Sequence, residues 1–483
     1  MSSVIRGGRL DVPAKREVVE FISSGQSDRR IARSIVLANE AHVIALLKAG
    51  IVNRIEAQKI LRQLRRLEKV FPAKGVDEDY HLYVEEQLTK RLGAELGGKL
   101  HTAKSRNDQV ATAIRMSLRK SLLDLSKSLL SFGEKLLAQA ARHSGTFFVG
   151  YTHQQPAQPI TYGHYLVSIL DPLLRDNERV LESYHRVNRS PMGAGALAGS
   201  SYDLDRRLVA QLLGFEGLVE NSLDAVGSRD FLLESLAVSS LIGSDLSRIA
   251  QDWIFYSSAD VNLVDLSPEY SSTSSIMPQK KNPDPLEVVR ARCAVIEGNH
   301  ATSLTIAHAL PSGYNLDLQE LTPIVWNSID TLCSCLSIMT GIVAHMRPKE
   351  DVADRYPVKF TVAAELANSL ARDTKAPFRD AYRWVGQAVR TALKNHTTLK
   401  DLSRDEWTKI TGRQLDKDTY RTILMLSDPR SHPGRYASEG SPNPKQVRRM
   451  ITTRRDQVRK DLVKTRKLEL KIVGANRRLR HIL

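Results

Sequence analysis

The apolar positions of this chain fall into long helical stripes, with almost no alternating pattern. The segment 109–151 has no proline, and Ile114, Leu118, Leu122, Leu125, Leu129, Phe132 and Leu136 recur there at spacings of three and four, which marks one helix face. Met116, Leu123, Leu130 and Leu137 form a second stripe at a spacing of seven. The predicted helix of roughly thirty residues, about 45 Å long at 1.5 Å per residue, is therefore apolar on two sides and belongs inside a bundle. Similar proline-free runs cover 224–267, with Phe231, Leu236, Leu246, Ile249 and Trp253, and 324–346. An all-α core of long helices is expected.

The pattern changes near 100–109, where shorter mixed stretches such as 55–70 give way to the long helices, and again near 347–357. The expected organisation is an N-terminal helical domain (1–106), a central bundle (107–352), a C-terminal helical domain (353–444) and a basic extension (445–483). A chain of 483 residues with 42% hydrophobic and 26% charged residues has ample material for a large core. Its three cysteines, Cys293, Cys333 and Cys335, are too few for a disulfide framework, and no Cys/His spacing suggests zinc. The first residues lack a signal-peptide core, and no run of eighteen apolar residues is free of charge. A soluble, cytoplasmic protein without membrane partners is expected.

Charge raises a different possibility. The formal net charge of +16 points to nucleic acid, an anionic surface or a small anionic substrate. Its distribution separates these. Residues 445–483 hold 14 Lys and Arg against three Asp and Glu, a net of +11, which leaves +5 for the rest of the chain. Val447, Ile451, Val458 and Leu462 recur at helical spacing in that segment, so a charged amphipathic helix is the first reading and a nucleic-acid or acidic partner the second.

Four polar segments do not read as core. HTAKSRNDQ (101–109) groups Ser105, Arg106, Asn107 and Asp108 before an apolar run, the pattern of a capped helix start, whose free N–H groups also suit a carboxylate. GYTHQQPAQP (150–159), at the end of the long helix, surrounds His153 with hydrogen-bonding groups, and an imidazole there can exchange protons near neutral pH. GAGALAG (193–199) is similar to a nucleotide-binding glycine fingerprint but lacks the preceding strand, so a tight turn or close backbone packing is expected. SSTSSIMPQKKNPDPLE (271–287) carries Ser274, Lys280, Lys281 and Asn282 between prolines that forbid a helix, and such a loop can close over an anion and stabilise developing negative charge.

The last segment resembles the signature loop of the fumarase/aspartase superfamily, and its QKKNPD ending resembles that of the argininosuccinate lyase family. RGGRL near the start, DYHLYVEEQL, HTAKSRNDQVAT, GYTHQQPAQP, GAGALAGSSYDLDR, NSLDAVGSRDFLLE, LPSGYNLDLQE and KAPFRDAYRWVG extend the resemblance in order along the chain. It implies a three-domain, almost wholly helical subunit whose long-helix bundle assembles into a homotetramer with shared active sites. It also implies reversible cleavage of argininosuccinate to fumarate and L-arginine without a cofactor or metal. Under it, Ser274 and His153 share the proton transfers, Lys280 and Asn282 hold the anionic intermediate, and Glu287 orients and charges His153. Ser105, Arg106, Asn107 and Thr152 match contacts to the succinyl carboxylates, with Arg229 as another; Tyr314 and Gln319 match the arginine end. Asn39 stands where a substrate-binding Ser is usual, Thr322 where a Lys is usual, and Thr273 replaces a loop Gly. Adenylosuccinate as substrate, or a non-catalytic structural relative, are the alternatives.

Overall fold

A computed structural model describes residues 12–72, 76 and 78–483, and RGGRL lies outside the described residues. In chain order the elements are α1 (Arg16–Ile22), α2 (Ala32–Lys48), α3 (Arg54–Leu67), α4 (Tyr80–Gly98), α5 (Arg106–Arg142), a hairpin of β1 (Phe147–Thr152) and β2 (Gln155–Thr161), α6 (Tyr162–Val187), α7 (Arg206–Leu212), α8 (Ser222–Gly227) and α9 (Asp230–Ser257). There follow β3 (Val264–Asp265), β4 (Ser272–Thr273), β5 (Lys281–Asn282), α10 (Asp284–Ala307), α11 (Leu321–His345) and β6 (Arg347–Pro348). The last helices are α12 (Ala363–Thr374), α13 (Phe378–Lys394), α14 (Arg404–Thr411), α15 (Lys417–Leu426) and α16 (Pro444–Arg480). The fold is all-α, and its short strands pair antiparallel, β1 with β2, β3 with β6 and β4 with β5.

At 37 residues, α5 is longer than the pattern predicts, because its cap, Ser105, lies inside the polar segment, ahead of the first apolar stripe residue. Ser105 accepts a hydrogen bond from the Asn107 N–H at 3.3 Å and donates its own N–H to Asp108 Oδ1 at 3.1 Å, closing a capping box. Both predicted stripes are buried, since α6, α11 and α16 pack around α5. Contacts fix the helix directions. Arg106 of α5, Arg229 before α9 and Thr322 of α11 line one cavity, while Gln139 near the other end of α5 donates to Ala344 O at 2.7 Å. Hence α5, α9 and α11 run the same way and α6 and α10 return. At 1.5 Å per residue α5 alone separates the two ends by about 55 Å.

The basic 445–483 segment is mostly one 37-residue helix, α16, lying along α5. Val447, Ile451, Val458, Leu468 and Leu479 join the main core, and Ser126 meets Thr465 at 2.9 Å between the two helices. Ion pairs tie its flanks to the bundle: Arg454 to Asp171 at 2.9 Å, Lys127 to Glu469 at 3.2 Å, and Arg480 to Glu68. A second apolar cluster, drawn from Val362 to Leu426, stands apart from this core.

Candidate active site

The polar segments collect at the two ends of the bundle. At the head end, where α5 begins, a cavity of about 250 Å³ is lined by Asp28, Glu78, Asp79, Arg106, Arg229, Tyr314, Gln319 and Thr322, among others. Asp79 caps α4 by accepting the Leu82 N–H at 2.8 Å, and its other oxygen lies 2.8 Å from Arg106 Nη1, with Glu78 at 3.6 Å. A helix cap thereby aims the arginine into the cavity. Gln319 is steadied by donating to Ile22 O at 3.1 Å. Burial pushes the Asp28 carboxyl up to about 7 against the pull of its 2.7 Å hydrogen bond from Ser24.

Just behind Arg106 lies Asp108, fully buried. Besides the Ser105 N–H, it accepts from the N–H groups of Gly193 at 3.0 Å and Gly195 at 2.9 Å. Burial raises its carboxyl to about 6, and those three N–H groups hold it lower than burial alone would. The glycines are required at this approach: a Cβ on Gly193 would sit 2.7 Å from Arg206 Cγ, and one on Gly195 2.5 Å from Gly199 O. The 193–199 segment therefore binds a carboxylate of its own chain and bears out the close-packing expectation. Asn107 reaches the same segment, donating to Ala196 O at 3.0 Å. Asn39 is buried, with its amide donating to Ile35 O at 2.9 Å and its carbonyl accepting from Lys104. Burial lowers the Lys104 ammonium to about 8.

At the opposite end, β1 and β2 form a hairpin where the sequence suggested a helix end. Thr152 pairs with Gln155, so His153 and Gln154 are the two turn residues, and both have positive φ, 53° and 57°. This geometry normally favours Asn-Gly, which is why it is hard to read from the sequence. The base of the hairpin is fixed by aromatic packing: Phe148 lies 5.6 Å from Tyr165 and 5.5 Å from Tyr256, and Tyr151 lies 5.4 Å from Phe255. Its tip, with Thr152 and His153, is exposed.

The signature loop lies at this same end, between α9 and α10. Pairing of Ser272 with Asn282 and of Thr273 with Lys281 staples its base, aided by Lys281 Nζ on Asp265 at 3.1 Å and Ser272 on Asp284. Within the loop, Ser274 Oγ accepts from the N–H groups of Ile276 at 3.3 Å and Met277 at 3.1 Å. Two N–H dipoles aimed at one hydroxyl oxygen favour a negative charge on it. Lys280 and Glu287 are exposed and Asn282 is half-buried.

The described residues thus bring Arg106, Arg229, Tyr314 and Gln319 into one cavity, while Ser105 and Asn107 lie next to Arg106 at the start of α5 and Asn39 is held apart from the lining by Ile35 and Lys104. His153, Ser274, Lys280, Asn282 and Glu287 lie at the far end, and no hydrogen bond or ion pair joins His153 to Glu287 among the described residues. Asp28, Glu78, Asp79 and Lys104 were not singled out by sequence, although Asp79 opens DYHLYVEEQL and Lys104 lies within HTAKSRNDQ. Among the described residues no group of three His, Cys, Asp or Glu side chains is placed to hold a metal ion.

A long-helix bundle with these segments at its ends is that of a fumarase/aspartase-type lyase. A class II fumarase from Schistosoma mansoni, 16% identical, superimposes with a TM-score of 0.72 over 88% of this chain and 97% of its own. EDDS lyase in complex with formate gives 0.86 at 28% identity, over 96% and 93%. A lyase family model matches residues 8–298, and an argininosuccinate lyase C-terminal model matches 360–427. Argininosuccinate lyase of Methanococcus vannielii is 39% identical over 458 residues, 93% of this chain and 94% of that one. That of Methanothrix thermoacetophila is 40% identical over 480 residues, 99% and 98%. The chain belongs to the argininosuccinate lyase family.

Proposed function

We propose that this chain cleaves argininosuccinate reversibly into fumarate and L-arginine, as a cytoplasmic homotetramer in which neighbouring subunits complete each site. The family relationship over nearly the whole chain supports the reaction. The proton on the carbon beside a succinyl carboxylate is abstracted, the resulting charge spreads into that carboxylate, and the C–N bond breaks as the leaving guanidinium nitrogen is protonated. Ser274 and His153 divide the two proton transfers. A serine alkoxide needs stabilisation, and the Ile276 and Met277 N–H groups supply it locally. Lys280 and Asn282 carry the dianionic intermediate, and Glu287 charges the imidazole. Arg106, with Ser105, Asn107 and Thr152, receives succinyl carboxylates, and Tyr314 and Gln319 the arginine end.

One observation carries the shared-site reading. Within a single chain the proton-transfer set and the Arg106 cavity stand at opposite ends of the bundle, about 30 Å or more apart along α10 and further along α5, so one substrate cannot touch both. The exposed apolar residues Leu241, Val288, Val295 and Ile338 on α9, α10 and α11 give neighbouring bundles a surface to cover. Incubation with argininosuccinate should release fumarate; no fumarate, with turnover of adenylosuccinate instead, overturns the substrate. Mixing separately inactive Ser274→Ala and Arg106→Gln chains and letting them re-associate should restore part of the activity. Mixed tetramers as inactive as their parents would refute sharing.

A further inference from the structure

Arg229 is a buried cation without an anion. It is 4% exposed, and burial pushes its guanidinium down to about 10. Its hydrogen bonds go to the carbonyls of Val226 at 3.1 Å and Ser228 at 2.7 Å, both through Nη1, and its buried Nε has no partner. Among the described residues no carboxylate pairs with it, whereas the other cation of the cavity, Arg106, is already matched by Asp79 and Glu78. Removing a guanidinium from water without a counter-charge is costly, so this arrangement is best satisfied by an anionic group that arrives with the ligand.

The neighbours indicate which group that is. Tyr314 lies beneath Arg229, with the guanidinium carbon 5.9 Å from its ring centroid, and Gln319 and buried Thr322 line the same cavity. None of these three carries a positive charge at neutral pH. On the reading given above, on which this inference rests, Tyr314 and Gln319 face the arginine end of the substrate, whose α-carboxylate would otherwise meet no cation but Arg106, which Asp79 and Glu78 already pair. We propose that Arg229 binds the α-carboxylate of the arginine moiety and sets the preference for an amino acid over the corresponding amine. This differs from the succinyl contact expected for Arg229 on resemblance. Arg229 lines the cavity, and a guanidinium can give a carboxylate a two-point contact that a lysine at this place cannot reproduce.

The reverse reaction separates the two ends of the substrate, because fumarate and L-arginine are then added independently, and agmatine is L-arginine without its carboxylate. Arg229→Gln should raise the KM for L-arginine about 30-fold or more, as expected when one partner of a buried charge pair is lost. The KM for fumarate should stay within about threefold, and the preference for L-arginine over agmatine should nearly vanish. Introducing Thr322→Lys into Arg229→Gln should recover about a tenfold preference by restoring a cation to the cavity. If Arg229→Gln does not fold, Arg229→Lys serves: it keeps the charge and loses the two-point contact, so the L-arginine KM should rise several-fold with the fumarate KM unmoved. An unaltered preference for L-arginine over agmatine in Arg229→Gln, an unaltered L-arginine KM in Arg229→Lys, or a rise confined to fumarate overturns the assignment. A wild-type enzyme that condenses no fumarate with L-arginine overturns the functional reading itself.

Discussion

The head end and the hairpin end of the bundle hold their polar residues in opposite ways. At the head, polar groups are tied down before any substrate arrives: half-buried Arg106 by capped Asp79, buried Asp108 by glycine N–H groups, and buried Asn39 by Lys104. At the hairpin end, His153 sits on an exposed turn and Ser274 in an exposed loop whose tip residue Ile276 is 84% exposed. Rigid burial suits groups that must match a ligand's shape and charge. Exposure suits groups that reach into a site formed largely by other chains and close after the substrate enters. The difference also implies that damage at the two ends will register differently, in stability at the head and in turnover at the hairpin end.

The sharpest break of that contrast is Ser274→Ala, which should lower kcat by about 10³ while leaving the melting temperature unchanged, because the hydrogen bonds its hydroxyl accepts come from Ile276 and Met277 of its own exposed loop. A large loss of stability there would contradict the division. His153→Asn should lower kcat by about 10² or more, again without unfolding; unchanged turnover would remove His153 from the mechanism. At the head the expected signature is a pH-dependent stability, in which His42 contributes acid sensitivity and the raised carboxyls of Asp28 and Asp108 contribute the opposite sign. Burial holds His42 down to about 3, with Lys104 adding to the effect, while its ring nitrogen lies 3.0 Å from Thr102 O. The folded-state value lies below the unfolded one, so the unfolded chain binds the extra proton between about pH 6.5 and 3. The contribution of His42 is then fully present above about 6.5 and is lost as pH falls, by up to about 1.4 kcal/mol per pH unit. Relative to wild type, His42→Gln should lose roughly that much less stability per unit of pH between pH 6 and pH 4 in denaturant titrations, and a variant with the wild-type pH dependence would refute it. The smallest effect is expected at Gln154, whose left-handed backbone costs a side chain about 1 kcal/mol. Gln154→Gly should raise stability by about that amount; a decrease would mean that its side chain makes a contact worth more than the strain.

Much of the architecture was legible in the chain itself. The two stripes on 109–137 anticipated a helix buried on two sides, and Ser105 with Asp108 anticipated its cap, because both follow from local periodicity and short-range hydrogen bonding. The basic segment read correctly as an amphipathic helix, but its partner did not: only packing shows that its apolar stripe covers α5 of the same chain. The hairpin around His153 was missed because Pro156 and Pro159 and a His-Gln turn carry none of the usual strand and turn signals.

The sequence by itself determined the class of fold and the inventory of reactive groups, since helical periodicity and motif order are properties of neighbouring residues along the chain. Only the tertiary structure decided which groups share a space. Asp28, Asp79, Arg106, Arg229 and Tyr314 are far apart in sequence and meet because α5, α9 and α11 begin at the same end of the bundle. That parallel arrangement is a consequence of long-range apolar burial, as is the separation of Arg106 from Ser274 by the length of a helix. No local pattern records either.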